Sequence, residues 1–308
     1  SSYTIDLINK ALKDQGIKHP ENAIQILREP SIEASTELMK VVDLVLATGG
    51  AAMVKSAYSS GKPSYGVGPG NVQVIVDRDV DFKEATAKII DGRKFDNGII
   101  CSGEQSIIAP ADKYEEVINA AIENGAFYAE DTETVDAFRK VIFVNGAINN
   151  NVVGQSVQKI AKLAGVSVPE NTKVIILKAV GIGSEDVLCK EKMCPVLIAI
   201  KYNEFEEAVK IAQTNLDLEG RGHTAAIHSN NYEHIEYAGI HLTVSRLVVN
   251  APSSTTAGGS LLNGFAPTTT LGCGTWGNNS ISENLTYKHL INISRIGKVI
   301  EGKTPPSD

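Results

Sequence analysis

The sequence predicts an α/β protein in two parts, a partial Rossmann-type unit followed by a second α/β domain. Three observations carry this. Apolar, β-branched runs alternate with segments of helical spacing along most of the chain. One run, Val-Val-Asp-Leu-Val-Leu-Ala-Thr over 41–48, passes straight into Gly49-Gly50, the turn a parallel strand makes as it enters a helix. After residue 93 a helix leads into a loop holding Asn97-Gly98 and Cys101, and a new series of strands begins.

Taken in order, Ile5, Leu7, Ile8, Ala11 and Leu12 are spaced as a helix already under way. An alternating chain needs a strand before such a helix, so the sequence reads as a piece of a longer protein. A strand is expected over 23–27. Ser31 then caps a helix to about residue 40, with Glu33 and Glu37 near its start. Strands over 41–48, 64–67 and 71–77 alternate with helices over 51–58 and 82–94. The second series has strands over 106–109, 174–177, 194–201, 224–229 and 246–250. Its helices are expected over 113–125, 132–143, 157–164 (ending at Gly165) and 205–214. A loop rich in Gly, Ser and Thr covers 251–277, and Leu290-Ile291-Asn292-Ile293-Ser294 opens a late alternating strand over 290–298, suited to edge pairing between subunits. The expected divisions are 1–93, 94–285 and 286–308.

At 308 residues the chain can bury two cores. A net charge of −7 argues against a nucleic-acid backbone as partner. No apolar run approaches the roughly 20 residues that span a bilayer. Four cysteines in so long a chain make no disulfide framework, and Cys189 and Cys194 lack the spacing of a zinc pair, so no metal is expected. The cytoplasm is the expected compartment, with a bacterial microcompartment inside it as a variant.

Cys101 is the residue of most chemical interest. A thiolate attacks carbonyl carbon readily even as a minor fraction, and a tight turn at Asn97-Gly98 can aim backbone N–H groups inward to lower the thiol pKa or hold an oxyanion. An inert core cysteine is the competing reading. Thr48-Gly49-Gly50 stands where open sheets bind ligands, at a strand's carboxyl end and a helix's start. Glu191 can accept hydrogen bonds from ribose hydroxyls, or be a solvated loop charge. His223 follows Gly220-Arg221-Gly222, and a histidine titrating near neutrality can move a proton; a structural histidine is about as good a reading. The loop over 267–277 looks packed against a site.

Together these segments resemble the aldehyde dehydrogenase superfamily in its CoA-acylating branch. The likeness rests on Leu46-Ala47-Thr48-Gly49-Gly50, Tyr58-Ser59-Ser60-Gly61-Lys62-Pro63, Gly66-Val67-Gly68-Pro69-Gly70-Asn71, the Cys101 segment, 188–195 and 268–290. It implies an aldehyde dehydrogenase-like fold, with 1–93 as a partial cofactor-binding domain, 94–285 as the catalytic domain and 286–308 as an oligomerisation segment. It further implies Cys101 as the nucleophile that forms a thiohemiacetal and then a thioester, and His223 as an assisting histidine. Thr48, Gly49, Gly50, Val67, Gly68, Glu191 and Pro195 become cofactor contacts, for NAD or NADP. Asn97, Ser253, Ser254 and Thr255 become substrate contacts, and coenzyme A is the co-substrate. Hydrolytic members carry a glutamate base where this chain has Gly66, so thiolysis by CoA is favoured over hydrolysis. The branch's longer N-terminal region, with an oxyanion-hole asparagine, is not in this sequence, so the chain alone is expected to be inactive. Expected partners are an aldehyde and an acyl-CoA, with a homodimer or homotetramer as the assembly. Succinate semialdehyde is the expected substrate. Acetaldehyde, propionaldehyde and sulfoacetaldehyde remain alternatives, as do a hydrolytic enzyme and an inactive assembly subunit.

Overall fold

Strands apolar on both faces pair in parallel and need helices above and below them, and the observed elements follow from that. The computed structural model describes residues 2–18 and 23–303. The chain runs α1 (Ser2–Asp14), α2 (Ile32–Val41), β1 (Val45–Thr48), α3 (Ala51–Ser59) and β2 (Ser64–Val67). It continues through β3 (Gln73–Val76), α4 (Phe82–Lys94), β4 (Ser106–Pro110), α5 (Tyr114–Glu123), β5 (Ala126–Ala129) and α6 (Thr132–Ile142). A hairpin of β6 (Phe143–Val144) and β7 (Ala147–Ile148) precedes α7 (Val157–Ala164), β8 (Val174–Lys178) and β9 (Val196–Tyr202). Then come α8 (Phe205–Leu218), β10 (Gly222–His228), α9 (Tyr232–His241), β11 (Val244–Val249) and the one-turn α10 (Ser253–Thr256).

β1 and β2 form a small parallel sheet. The large sheet has the order β11-β10-β3-β4-β9-β8-β5, and every pairing in it is parallel. Ile89 and Ile90 of α4 and Val117 and Ile118 of α5 enter one core cluster with strand residues such as Val74 and Ile107. On a second cluster Phe205, Val209 and Ala212 of α8 meet Ile75, Ile108 and Ile227. α6 and α7 bury Phe138, Ile142, Val157 and Ile160 with Ile175 and Ile198.

Local chemistry sets the boundaries. Asp81 caps α4 by accepting from the N–H groups of Lys83 and Glu84, at 2.8 and 3.0 Å. Ser31 and Ser156 cap α2 and α7 in the same way. Gly165, at φ 69°, ends α7 in the left-handed conformation.

Several expectations are corrected. The segment 23–27 forms no strand, and β1 pairs only with β2 among the described residues. β1 begins at Val45 rather than 41 because α2 runs on to Val41. Alternation over 290–298 does not give a strand: Tyr287–Leu290 is a 3₁₀ turn, the rest is irregular, and Ile293 and Ile296 face solvent. Ladder hydrogen bonds need a neighbouring strand, and no described strand lies there. Of the 286–308 segment, 304–308 lie outside the described residues, as do Ser1 and 19–22 of the first part. β3 and α4, expected in the part ending at 93, belong to the large sheet. The change of sheet falls between Val67 and Gln73, because Val74, Ile75 and Val76 are fully buried and need helices on both faces. β5 and α9 were not anticipated.

This connection fixes how the sheets meet. β2 ends at Val67 and β3 begins at Gln73, so the link 68–72 runs from the carboxyl edge of the small sheet to the amino edge of the large one. At Gly70 it lies flat against the Cys101 loop, where a Cβ would overlap the carbonyl oxygen of Cys101. Gly70→Ala is therefore expected to cost roughly 1–3 kcal/mol of stability, the usual range for overpacking a filled site. Chemical denaturation checks this, and an unchanged midpoint contradicts it.

Candidate active site

Five neighbouring strands of the large sheet (β11, β10, β3, β4, β9) turn their amino ends toward the link 68–72. Each delivers a chemically active segment there. Gly70-Asn71 precede β3, the Cys101 loop precedes β4, Glu191 precedes β9, Gly220–His223 open β10, and Arg246 lies near the start of β11. From the other side come the Thr48-Gly49-Gly50 turn at the carboxyl end of β1 and Gly68 just after β2.

Cys101 is half-buried, whereas Cys189, Cys194 and Cys273 are buried. The turn before it has Asp96 and Asn97 at φ 51° and Gly98 at φ 68°. That turn does not activate the thiol as expected. Burial, aided by the charges of Glu191 and Cys273, pushes the thiol up to about 12, against the lowering effects of its own backbone N–H and of Arg246. Asn97 is exposed, and its amide donates to the carbonyl of Gly154 at 3.0 Å.

Below the loop lies a set of buried polar groups that sequence reasoning missed. Glu104, three residues past the thiol, accepts from the N–H of Ser253 at 2.5 Å, and burial pushes its carboxyl up to about 8. Fully buried Arg93 donates Nε to the carbonyl of Val196 at 3.1 Å, and its charge acts on Glu104 and Glu191. Lys192, also fully buried, donates Nζ to the carbonyls of Leu188 and Lys190 at 2.7 and 2.9 Å, clamping the turn that carries Glu191. Asn71 donates its amide to the carbonyls of Cys189, Asn215 and Glu219, at 2.8, 3.2 and 3.1 Å. Its carbonyl and side-chain oxygens accept from Gln73, whose own Oε1 accepts from Ser106 and Asn215. The network joins three strand starts and α8 around one buried amide.

Glu191 is half-buried. Burial, with the like charge of Glu219, pushes its carboxyl up to about 8. Its N–H donates to Glu219 at 2.8 Å. Pro195 is buried, and its carbonyl takes the N–H of Ile175 at 2.9 Å, beginning the pairing of β8 with β9. Thr48 and Gly50 are exposed, and Gly49 donates to the carbonyl of fully buried Val67 at 3.1 Å. Gly50 opens α3 with no side chain capping its first N–H groups. Beside it a cleft of about 490 Å³ runs between α2 and α3, lined by Ser31, Ile32, Ser35, Met39, Met53 and neighbours. An uncapped helix start, an apolar cleft and a carboxylate facing the thiol suit, respectively, a pyrophosphate, a flat base and a ribose. The residues present fit a dinucleotide.

Gly66 faces α3. A Cβ there would stand 2.7 Å from Val54 Cγ1 and 3.0 Å from the Tyr58 ring, and Tyr58 accepts from the Gly66 N–H at 2.9 Å. The space is filled, so no carboxylate base fits without rebuilding α3.

His223 is fully buried and does not titrate near neutrality. Burial and the charge of Arg246 push it down to about 3. A buried imidazole beside a guanidinium disfavours a second proton. Ser253 and Ser254 are buried on α10, with hydroxyls that have no partner among the described residues, and Thr255 is exposed. Ser102 donates to the carbonyl of Ser254 at 3.3 Å, which ties α10 to the Cys101 loop. The loop over 267–277 does pack against the site, through buried Leu271 and Cys273 and the Gly272 carbonyl that accepts from Arg246. Arg246 itself had one visible signal, a charge inside the apolar run 244–249.

No family model matches the chain. It is 65% identical over 297 residues to a succinate-semialdehyde dehydrogenase (acetylating) of Clostridium kluyveri, a match covering 96% of this chain and 65% of that protein. The structure is similar to that of an acetylating aldehyde dehydrogenase of Geobacillus thermoglucosidasius (TM-score 0.90, 36% identity, 95% of this chain and 65% of that one). It is similar also to a propionaldehyde dehydrogenase of Rhodopseudomonas palustris with bound CoA and an acylated cysteine (TM-score 0.79, 28% identity, 89% and 61%). The chain thus spans about two thirds of the length of these relatives.

With its thiol raised to about 12, Cys101 is expected to react with iodoacetamide at pH 8 at least tenfold more slowly than a free cysteine. It should still be labelled before the three buried thiols. Peptide mapping over time checks both, and labelling as fast as a free thiol contradicts the electrostatics.

Proposed function

Because the chain belongs to the CoA-acylating branch of the aldehyde dehydrogenase superfamily, we propose that the protein interconverts an aldehyde and its acyl-CoA through a Cys101 thioester. The observation that carries this reading is that the link 68–72, which follows the strand bonded to Gly49, lies against Cys101, on whose thiol Glu191 acts. That arrangement supports Cys101 as the nucleophile and the Thr48-Gly49-Gly50 turn as part of a cofactor-binding edge. When bound, a nicotinamide dinucleotide supplies the hydride acceptor. Glu191 would hold its ribose, and the uncapped start of α3 its phosphates, with Val67, Gly68 and Pro195 shaping the backbone around them.

The Cys101 S–H adds across the aldehyde carbonyl, sulfur to carbon and proton to oxygen, and loss of hydride from that carbon with loss of the hydroxyl proton to water leaves the acyl group on Cys101 as a thioester. Two features direct that thioester to CoA. The loop is half-buried, which limits water, and the side-chain space at Gly66 is taken by Val54 and Tyr58. Attack by the CoA thiol then forms acyl-CoA and returns a proton to the Cys101 sulfur, whose high pKa makes it a good proton acceptor as it leaves.

For the acyl group we propose succinyl. The buried hydroxyls of Ser253 and Ser254 are donors that a distal carboxylate satisfies, and the 65% identical relative acts on succinate semialdehyde by its name. Thr255 and Asn97, both exposed, are placed for at most a peripheral part. A homodimer or homotetramer remains the proposed assembly.

With the protein extended to the length of its relatives, aldehyde-dependent NAD(P)H formation is expected to require CoA and to vanish in Cys101→Ala. Succinyl-CoA should be reduced faster than acetyl-CoA or propionyl-CoA, and Ser254→Ala should lower succinyl-CoA kcat/KM by about tenfold while changing acetyl-CoA little. Steady-state rates decide, and a clear preference for acetyl-CoA overturns the substrate.

Glu191 gives a pH dependence. Only its ionised form accepts from both ribose hydroxyls, and its carboxyl titrates at about 8. Cofactor affinity should therefore rise with pH through that value and lose this dependence in Glu191→Gln. Calorimetric titration from pH 6.5 to 9, a span chosen to bracket it by about one unit or more on each side, checks this. Equal affinities across the span contradict it.

A further inference from the structure

The His223 side of the site is held by a chain of buried hydrogen bonds. Arg246, 3% exposed, donates Nε to Thr224 Oγ1 at 3.2 Å, Nη1 to Asn284 Oδ1 at 3.2 Å, and Nη2 to the carbonyls of His223 and Gly272 at 2.8 and 2.7 Å. Thr224 Oγ1 lies 2.9 Å from His223 Nδ1, and both residues are fully buried.

These contacts fix the direction of each bond. Arginine has only donors, so the Thr224 hydroxyl accepts from Arg246. A hydroxyl has one proton to give, and His223 Nδ1 is the partner placed to take it. Nδ1 then accepts, and the neutral ring carries its proton on Nε2. The opposite arrangement, with Nδ1–H donating, leaves the buried hydroxyl proton with no acceptor among the described residues. Nε2 itself is buried and has no partner among them, and such a donor is costly to leave unmatched.

The charged and titratable groups around the ring agree. Arg246 on β11 is the charge that acts on it. Cys273 and Cys101, from the two loops that close over Arg246, act on that guanidinium in turn. Burial and Arg246 both disfavour a second proton on the ring.

We propose that Arg246 and Thr224 are positioning residues that lock His223 as the neutral Nε2–H tautomer, so that it donates a hydrogen bond to an oxygen of the acyl-CoA rather than accepting the thiol proton. This rests on the acyl-transfer reading above. In that step the bond from CoA sulfur to the acyl carbon forms, the bond from the acyl carbon to Cys101 sulfur breaks, and the CoA thiol proton ends on Cys101. No proton is left over for a histidine to keep.

The test has one arm independent of turnover. In the full-length protein, imidazole ¹⁵N shifts, with the His223 signal identified by its loss in His223→Gln, should show the Nε2–H tautomer unchanged from about pH 5 to 8. Thr224→Ser should preserve it and Thr224→Val should not. Protonation of the ring in that span, or an Nδ1–H ring, overturns the proposal even if the enzyme is active. In the second arm, thiolysis of the acyl-enzyme should be slowed about tenfold or more in Thr224→Val and little in Thr224→Ser. His223→Gln, which keeps an N–H donor but cannot titrate, should retain clearly more activity than His223→Ala. If Gln and Ala are equally inactive and a pH inflection near 6.5 is lost in both, His223 is a base and the proposal fails. An active-site tautomer as proposed in a protein that forms no acyl-enzyme would instead count against the function and leave the hydrogen-bond chain standing.

Discussion

Everything at this site depends on one backbone contact. The link 68–72 lies against the backbone of the Cys101 loop with no room for a side chain at Gly70. Such contact brings the carboxyl edge of a two-stranded sheet against the amino edge of a seven-stranded one. Open α/β sheets bind ligands at their carboxyl edges, the edge that carries the Thr48-Gly49-Gly50 turn of β1. The large sheet presents its other end, because β2 feeds directly into β3 and leaves the amino ends of five adjacent strands on the side of the link 68–72. Asn71, next in the link, then pins the Glu191 turn and the end of α8 through three carbonyls.

The electrostatics follow from how deeply this junction is buried. Cys101, Glu104 and Glu191 are all pushed toward their neutral forms, and Lys192 is pushed down to about 7, with burial the leading cause each time. A site of this kind holds little fixed charge near neutrality, so charge that develops on reacting atoms meets oriented dipoles rather than competing ions. The two buried arginines are the exceptions. Arg93 acts on Glu104 and Glu191, and the Arg246 guanidinium is spent on four protein oxygens, which makes it a brace for the His223 strand and the 273 loop rather than a substrate anchor.

Much of the fold was legible because it was locally encoded. Phe82–Lys94 and Val157–Ala164 match their expected bounds, since Asp81, Ser156 and Gly165 mark helix ends by short-range hydrogen bonding. The segment 290–298, expected to pair between subunits, has no strand beside it among this chain's described residues: alternation describes a surface, while a strand also needs a partner. In the site, Cys101, Glu191 and the glycine turn stood out by residue type and position. The protonation of His223 did not, because it is set by burial and by Arg246, which lies on another strand. Arg93, Glu104 and Lys192 were passed over because a charged residue's burial is a tertiary property, invisible until the helices and loops are stacked.

The central claim is that Cys101 carries the acyl group. Incubating the full-length protein with an acyl-CoA in the absence of reduced cofactor, then mapping peptides by mass, tests this directly. The account predicts an acyl mass on the peptide holding Cys101, removed when free CoA is added. An acyl group on the peptide of Cys189, Cys194 or Cys273, or none on the protein at all, would contradict it.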